Sequence, residues 1–360
     1  MQESVVSAQP EKKASPAVKE PRGVGRVFSQ PMIRNVLVGV VALVLFYLLV
    51  GHLGQYRIYQ LSLVGPYVIA LVGLSVLTGQ NGQISLGHGA LMAIGAWTLT
   101  LLQLHTKVPL WAMLIAAALV TMVFGALLGL VAARLRGPYL AGATLALALG
   151  LPDLTTRYQS LFGGYQGLEV SQPNAPAFLG AAATPTEWLA IIEMICVVVV
   201  MVLFANLLRS RVGRRFRAVR DDEIATQVSG ISVARTQVLA FSLSAAAAGL
   251  GGGLFALVAG NVSPGGYSVV LSISLLAAMV IGGTGTLAGA VWGALIMVYV
   301  PGWATTLTQK LNLNQAISAN LALAIYGFLL VAIIMIAPVG IQGLVRAGIF
   351  KLKSLGKEPS

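Results

Sequence analysis

Apolar and polar positions run in long blocks along this chain, not in short periods. Ten apolar runs stand out, at about 35–54, 58–78, 84–104, 109–133, 138–152, 187–208, 237–260, 267–283, 288–304 and 315–337. An apolar helix needs about 20 residues to cross a bilayer. The pattern therefore predicts an all-α integral membrane protein, a polytopic bundle of about ten transmembrane helices. The runs at 138–152, 267–283 and 288–304 are short. They predict broken or re-entrant helices, which hydrocarbon tolerates only where protein or a water-filled cavity covers the backbone. Residues 1–34 are polar and rich in Pro, Ser, Lys and Glu, as in a disordered tail. They lack the pattern of a cleaved leader, so the first apolar run is expected to stay as a span.

The longest strongly charged break, 209–236, lies between two of the greasiest runs. It carries seven arginines, at 209, 211, 214, 215, 217, 220 and 235, and the acids Asp221, Asp222 and Glu223. Each charge at mid-membrane costs roughly 2.5–3.5 kcal/mol on insertion scales, so the break sits in water. Its arginine excess assigns that water to the cytoplasm. With the N-terminus inside, nineteen of the 23 basic residues fall on the cytoplasmic side and four outside. An even number of spans, both termini cytoplasmic, keeps this balance. The membrane domain is then 35–338, followed by a basic cytoplasmic tail, 339–360.

The loop also has folding signals. Phe216, Val219, Ile224, Val228 and Ile231 recur near helical spacing and predict one short amphipathic helix. Gly230 is placed to end it in a left-handed conformation, and Ser232 to cap the next helix. Such a helix suits docking into a partner's groove. The plainer use of the arginines is as anchors at lipid headgroups.

Composition narrows the chemistry. The chain is 57% hydrophobic and 9% charged, against about 25% charged in soluble domains. Its net charge of +12 is explained by basic residues flanking apolar runs, so nucleic acid is not an expected partner. One cysteine and three scattered histidines provide no disulfide framework and no metal-ligand spacing. There is no G-x-x-x-x-G-K-[ST] motif, so any ATP that drives this chain is bound on another subunit. Among ionisable groups within spans, His88 and Glu193 are the candidates for a pathway, because such residues are costly in lipid. His88 lies among Gly82, Ser85, Gly87 and Gly89. The four-residue repeats Gly125/Gly129, Gly249/Gly253 and Gly285/Gly289/Gly293 predict close helix packing. The external segment 153–186, with Gly163, Gly164, Tyr165 and Gly167, is long enough to meet an external partner.

Gly79 to Trp97, GQNGQISLGHGALMAIGAW, resembles a signature of the permease subunits of branched-chain amino-acid ABC importers, in the second of their two permease types. That signature reads like G-x-x-G-x-x-S-L-G-H-A-A-F followed by G-A-Y. Gly79, Gly82, Ser85, Leu86, Gly87, His88, Gly95 and Ala96 match it, while Gly89, Leu91 and Trp97 depart from it. Arg134 to Leu140 resembles the family's basic turn, Gly163-Gly164 with Gly167-Leu168 its external element, and Ile281 to Gly293 its late glycine-rich segment. Gly213 to Gly253 is similar to its coupling loop at Arg217, Arg220, Asp222, Glu223, Ala225 and Gly230. The likeness covers about residues 35–345.

The resemblance implies a role for each group. Arg217, Arg220, Asp222, Glu223, Ala225 and Gly230 would couple to the ATPase. Gly82, Ser85, Gly87, His88 and Glu193 would serve the pore or its gate. Gly163, Gly164, Tyr165 and Gly167 would dock an external partner. The implied assembly is a heterodimer with a sister permease, two cytoplasmic ATPase subunits and an extracytoplasmic substrate-binding protein, set in a bacterial-type inner membrane. No cofactor is expected in this chain, and the expected cargo is a branched-chain or other hydrophobic amino acid. A urea or short-amide permease of the same family is the nearest alternative. A stand-alone secondary transporter would need ion-coupling residues within the spans, and an enzyme would need a clustered catalytic set.

Overall fold

The longest helix, Val233–Ala259, is the hub of the molecule. The computed structural model describes residues 31–134, 138–176, 184–310 and 340–355, and scattered positions between 321 and 335. In chain order the helices are α1 (Pro31–Val50), α2 (Gln55–Leu74), α3 (His88–His105), α4 (Leu110–Ala132), α5 (Pro138–Arg157) and α6 (Gln159–Phe162). They continue as α7 (Pro185–Arg209), α8 (Arg211–Asp221), α9 (Glu223–Val228), α10 (Val233–Ala259), α11 (Val269–Gly282), α12 (Leu287–Lys310) and α13 (Gly340–Leu355). Helix α2 runs on as a π-helical turn, Ser75–Gln80. Two short strands, β1 (Leu168–Glu169) and β2 (Asn261–Val262), pair antiparallel with Leu168 opposite Val262.

Nine of the ten predicted spans coincide with helices, and the tenth, 315–337, lies almost wholly outside the described residues. Six helices among the described residues are long and apolar enough to cross a membrane: Gln55–Gln80, Leu110–Ala132, Pro185–Arg209, Val233–Ala259, Pro264–Gly282 and Leu287–Thr306. The chain is thus an all-helical polytopic membrane protein, apart from the small β pair. Two runs expected to be short form longer helices, α5 of 20 residues and α12 of 24, but only α12 is among the six. The run at 267–283 holds one continuous 14-residue helix, preceded by a 3-10 turn at Pro264–Tyr267, and the two together make the 19-residue stretch Pro264–Gly282. The tail expected at 339–360 is helical over Gly340–Leu355. Of the tail expected at 1–34, residues 31–34 belong to α1 and 1–30 lie outside the described residues.

Small residues explain why α10 is central. On α4, Ala117, Thr121, Gly125 and Gly129 are buried, while Ile115, Leu119, Val123 and Leu127 are exposed. Large side chains thus face outward and small ones inward, as close packing in lipid requires. A Cβ at Gly125 would strike the Ala245 methyl, and one at Gly129 would sit 2.8 Å from the Val238 Cα. On α10 itself, Gly249 meets α4 at Ala117 and Thr121, Gly251 meets α2 at Pro66, and Gly252 meets α3 at Met92. One glycine thus serves each of three neighbours. The Gly289/Gly293 repeat does the same for α11 against α12, with Gly293 on Ala278. Helix α1 sits at the margin against α7.

Two ends of the bundle can be told apart by their loops. The first holds the charged segment 209–232, the end of α2 and the turn 283–286. The second holds the end of α3, the β pair and Ser171, which accepts from Gln103 at 2.9 Å.

Candidate coupling and gating site

The charged loop folds as two helices, not the single helix that its spacing predicts. Ser210 caps α8, its hydroxyl accepting from the Val212 N–H at 3.1 Å. The chain then turns extended at Asp222 (φ −158°), whose carboxylate accepts from the Ile224 and Ala225 N–H groups at 2.8 and 2.9 Å and so starts α9. A side chain that caps an N-terminus competes with helix continuation, and Asp222 breaks the predicted helix for that reason. The apolar stripe divides with it. Phe216 and Val219 on α8 are buried, whereas Ile224 and Val228 on α9 are 76% and 86% exposed.

Gly230 ends α9 as expected. Its φ is +80°, its N–H bonds to Gln227 O at 2.9 Å, and the Ile231 N–H reaches back to Thr226 O at 3.2 Å. This is a Schellman closure, which needs a left-handed residue. Ser232 caps α10 through the Arg235 N–H. Glu223 accepts from the Gln237 Nε2 at 3.1 Å, which ties α9 to α10. Ala225 is exposed on α9 beside Ile224.

Arg217, half-buried, and Arg220, exposed, both reach across to neighbouring helix ends. Arg217 donates through Nη1 to Leu208 O and to Gln80 Oε1, both at 3.2 Å. Arg220 donates to Gly79 O at 2.8 Å and pairs with Asp221 at 2.8 Å. Its aliphatic stem covers Gly82, where a Cβ would lie 2.9 Å from the Arg220 Cγ. Leu208 and Gly79 are at the C-terminal ends of α7 and of the π-helical extension of α2. Their carbonyls carry the negative ends of two helix dipoles, which cations stabilise by about 0.3–1 kcal/mol each. These two arginines are therefore helix-end ligands as well as membrane-side charges.

Beyond Gln80 the chain is non-helical for seven residues before α3 begins at His88, four residues later than the predicted span. Gly82, at φ +78°, turns the chain out of the helix. Burial then alternates: Asn81, Gln83, Ser85 and Gly87 are buried, while Gly82 and Ile84 are exposed. Irregular backbone at such a place is tolerable in a membrane only beside protein or a cavity. Of the expected gate residues, Ser85, Gly87 and His88 lie on the inner face. His88 Nε2 lies 2.9 Å from Ala70 O, and a Cβ at Gly87 would meet Thr144 O at 2.6 Å. Ser85 Oγ and His88 Nδ1 have no hydrogen-bond partner among the described residues.

Glu193 is elsewhere. It is buried on α7 beside Ser62, and neither side chain makes a well-formed hydrogen bond among the described residues. It borders a largely apolar cavity of about 400 Å³ between α1, α2, α7 and α12, together with Asn35, Gly65 and Leu287.

At the opposite end, Gly163, Gly164 and Gly167 all have positive φ and fold the outer segment onto β2. Asn261 Nδ2 donates to Gln166 O at 3.1 Å. Tyr165 projects from this fold, 81% exposed. Beneath it Phe162, Trp97, Tyr267 and Phe255 stack edge to face or tilted at 5.7–5.9 Å. Phe178 and Gly180 of the same segment lie outside the described residues.

Comparison with known proteins fits this geometry. The family model described as branched-chain amino acid transport system / permease component matches residues 56–334. The chain belongs to that family. The permease component LivM of a high-affinity branched-chain amino acid transport system from Salmonella typhimurium is 34% identical over 253 residues, covering 64% of this chain and 60% of the relative. LivM of Escherichia coli is 33% identical over the same shares. BraD, a permease protein of the corresponding Pseudomonas aeruginosa system, is 27% identical over 68% of this chain and 84% of its own length. The chain therefore spans about 60% of the length of the LivM relatives it matches. No solved structure matches the chain.

One residue that joins these elements carries no signal in the sequence. Gln80 accepts from Arg217 and donates from Nε2 to Gly285 O at 2.5 Å. It falls between the two glycines of the G-x-x-G spacing, and only its long-range partners reveal it.

Proposed function

We propose that the chain is the permease subunit of an ATP-driven importer and forms half of the translocation pathway for branched-chain or other hydrophobic amino acids. It pairs with a sister permease, is driven by two ATPase subunits, and receives substrate from an extracytoplasmic binding protein. Its place is a bacterial inner membrane, with ten spans and both termini in the cytoplasm. Residues 35–338 form the permease domain, 153–186 its external loop and 209–236 its coupling loop. The tails are 1–34 and 339–360. The family match and the names of the relatives support the class and the cargo.

The observation that carries the mechanism is the exposed pair Ile224 and Val228 on a doubly capped helix at the arginine-rich end. Each large aliphatic side chain gains about 1.5–3 kcal/mol on full burial, enough together to anchor a partner's groove. Asp222 and Glu223 fix α9 by capping it and by bonding Gln237, and Gly230 closes it. Arg217 and Arg220 join α8 to the ends of α7 and α2. Nucleotide-driven movement of the ATPases then acts on α9, and through α8 on the 79–88 segment, between two arrangements of the bundle. Tyr165 and its three glycines are the docking point for the binding protein. Glu193, His88 and Ser85 are the polar groups available to the pathway.

The test is Ile224→Glu combined with Val228→Glu. Co-purification of the ATPases through a tag on this chain should be lost, and amino-acid uptake with it, while membrane insertion is unchanged. Retained co-purification and uptake would overturn the coupling role.

A further inference from the structure

Three parts of the molecule meet at Gln80. Its Oε1 accepts from Arg217 of α8, and its Nε2 donates to Gly285 in the turn between α11 and α12. Its neighbour Gly79 accepts from Arg220 and packs against Gly285 so closely that a Cβ there would strike the Gly285 backbone. Gln80 is also the last residue of the π-helical turn Ser75–Gln80. Such turns are rare, hold an extra residue relative to the α-helix, and are common at functional sites. The π spacing is visible in the Asn81 N–H bond to Val76 O at 3.1 Å.

The chain after this turn has period-two burial, with Gln83 and Ser85 inside and Ile84 half exposed outside. A one-residue shift of a stretch whose side chains alternate, as they do at 83–85, exchanges its two faces. Relaxing the π turn to α would supply such a shift, because it releases the extra residue from the helix into the segment that follows. The exposed apolar face at Ile84 would then give way to Gln83 and Ser85.

We propose that Gln80 is a positioning residue that holds the π turn in register and transmits displacement of α8 to the 81–87 segment. This rests on the coupling role given above and adds the joint through which the loop acts. Pulling α8 outward strains the Arg217–Gln80 bond, and Gln80 carries that load to the α2 end and to the Gly285 turn together. Arg217 lies 137 residues away in sequence and Gly285 lies 205 away, so the side chain ties elements that no local contact joins.

The experiment uses the whole complex purified through a tag on this chain and placed in lipid nanodiscs. Cys196, the chain's one cysteine and buried, is replaced by alanine, and Ile84→Cys is the probe. Maleimide labelling is timed with and without ATP plus vanadate. With Gln80 intact the rate should change about five-fold or more between the two states, the lower range of ordinary site-to-site coupling. Gln80→Ala should remove that change while the ATPases still co-purify and hydrolyse ATP without substrate. Gln80→Glu keeps the acceptor for Arg217 and should restore part of the change. An unaltered change in Gln80→Ala, or none with Gln80 intact, overturns the joint. Should Gln80→Ala not assemble, Arg217→Gln is expected to lose the change in its place, and its keeping it would overturn the joint equally. Failure of the ATPases to co-purify with the otherwise native chain would instead overturn the coupling role itself.

Discussion

Adjacent glycines on α10 make opposite predictions for the same substitution. A Cβ at Gly252 would lie 2.5 Å from the Met92 carbonyl carbon and closer still to its oxygen. Those are backbone atoms of α3 and cannot rotate aside. Ordinary carbon contacts begin near 3.5 Å, so α3 and α10 must separate by about 1 Å. Separation on that scale forfeits a quarter to a half of each contact along the seam. Overpacking of this kind costs about 1–3 kcal/mol. At Gly253 the same methyl would meet the Leu99 Cδ1 at 3.2 Å and the Ala117 Cβ at 3.6 Å. The Leu99 side chain can move the few tenths of an ångström required. Both substitutions gain about 0.8–1.0 kcal/mol of helix propensity. Gly253→Ala should therefore be neutral or slightly stabilising, and Gly252→Ala should be net destabilising by up to about 2 kcal/mol once that gain is subtracted. Thermal unfolding of the purified chain in detergent, followed by tryptophan fluorescence, gives the comparison. Each variant is scored against the parent in one scan series at one rate. Equal midpoints for the two variants, or a lower one for Gly253→Ala, would refute the packing assignment of α10.

Other substitutions probe the loop. Asp222→Ala removes two capping bonds and should cost about 0.5–2 kcal/mol, seen as faster amide exchange at residues 224–228 with α8 unaffected. Gly230→Val places a β-branched residue at φ +80° and should destabilise the loop by about 1–3 kcal/mol, more than Gly230→Asn, when both are followed by limited proteolysis between α9 and α10. Phe216→Ala empties a fully buried site and should lower the melting point by the equivalent of about 3–5 kcal/mol. An exposed control, Ile224→Ala, should leave that melting point unmoved.

Much of the fold was legible because its signals are local or periodic. Twenty apolar residues in a row can only be a span, whatever surrounds them. Gly230 and Ser232 were readable because capping depends on the residue's own conformation and its next few neighbours. The glycine repeats on α4, α10 and α12 announced close packing because no larger residue allows two backbones to approach in lipid. The faces of the helices were not legible. A soluble helix shows its buried side by contrast with its polar side, but a lipid-facing leucine and a buried one are alike in sequence. Size on α4, with alanine and glycine inward and leucine outward, carried the information that polarity carries in water.

The site divides in the same way. Residue types and their spacing determined the charged loop, its helix-ending glycine and the glycine-rich strip from Gly79 to Gly89. Only the tertiary structure decided that Asp222 splits the loop helix, leaving Ile224 and Val228 outside while Phe216 and Val219 go in. It alone set Arg217 and Arg220 against the ends of neighbouring helices, and it alone gave Gln80 its distant partners. The bond from Arg220 to Gly79 spans 141 residues and that from Gln80 to Gly285 spans 205. A chain's pattern records what each residue prefers nearby. Which distant carbonyl a guanidinium finally meets is settled when the packed helices bring their ends to one place.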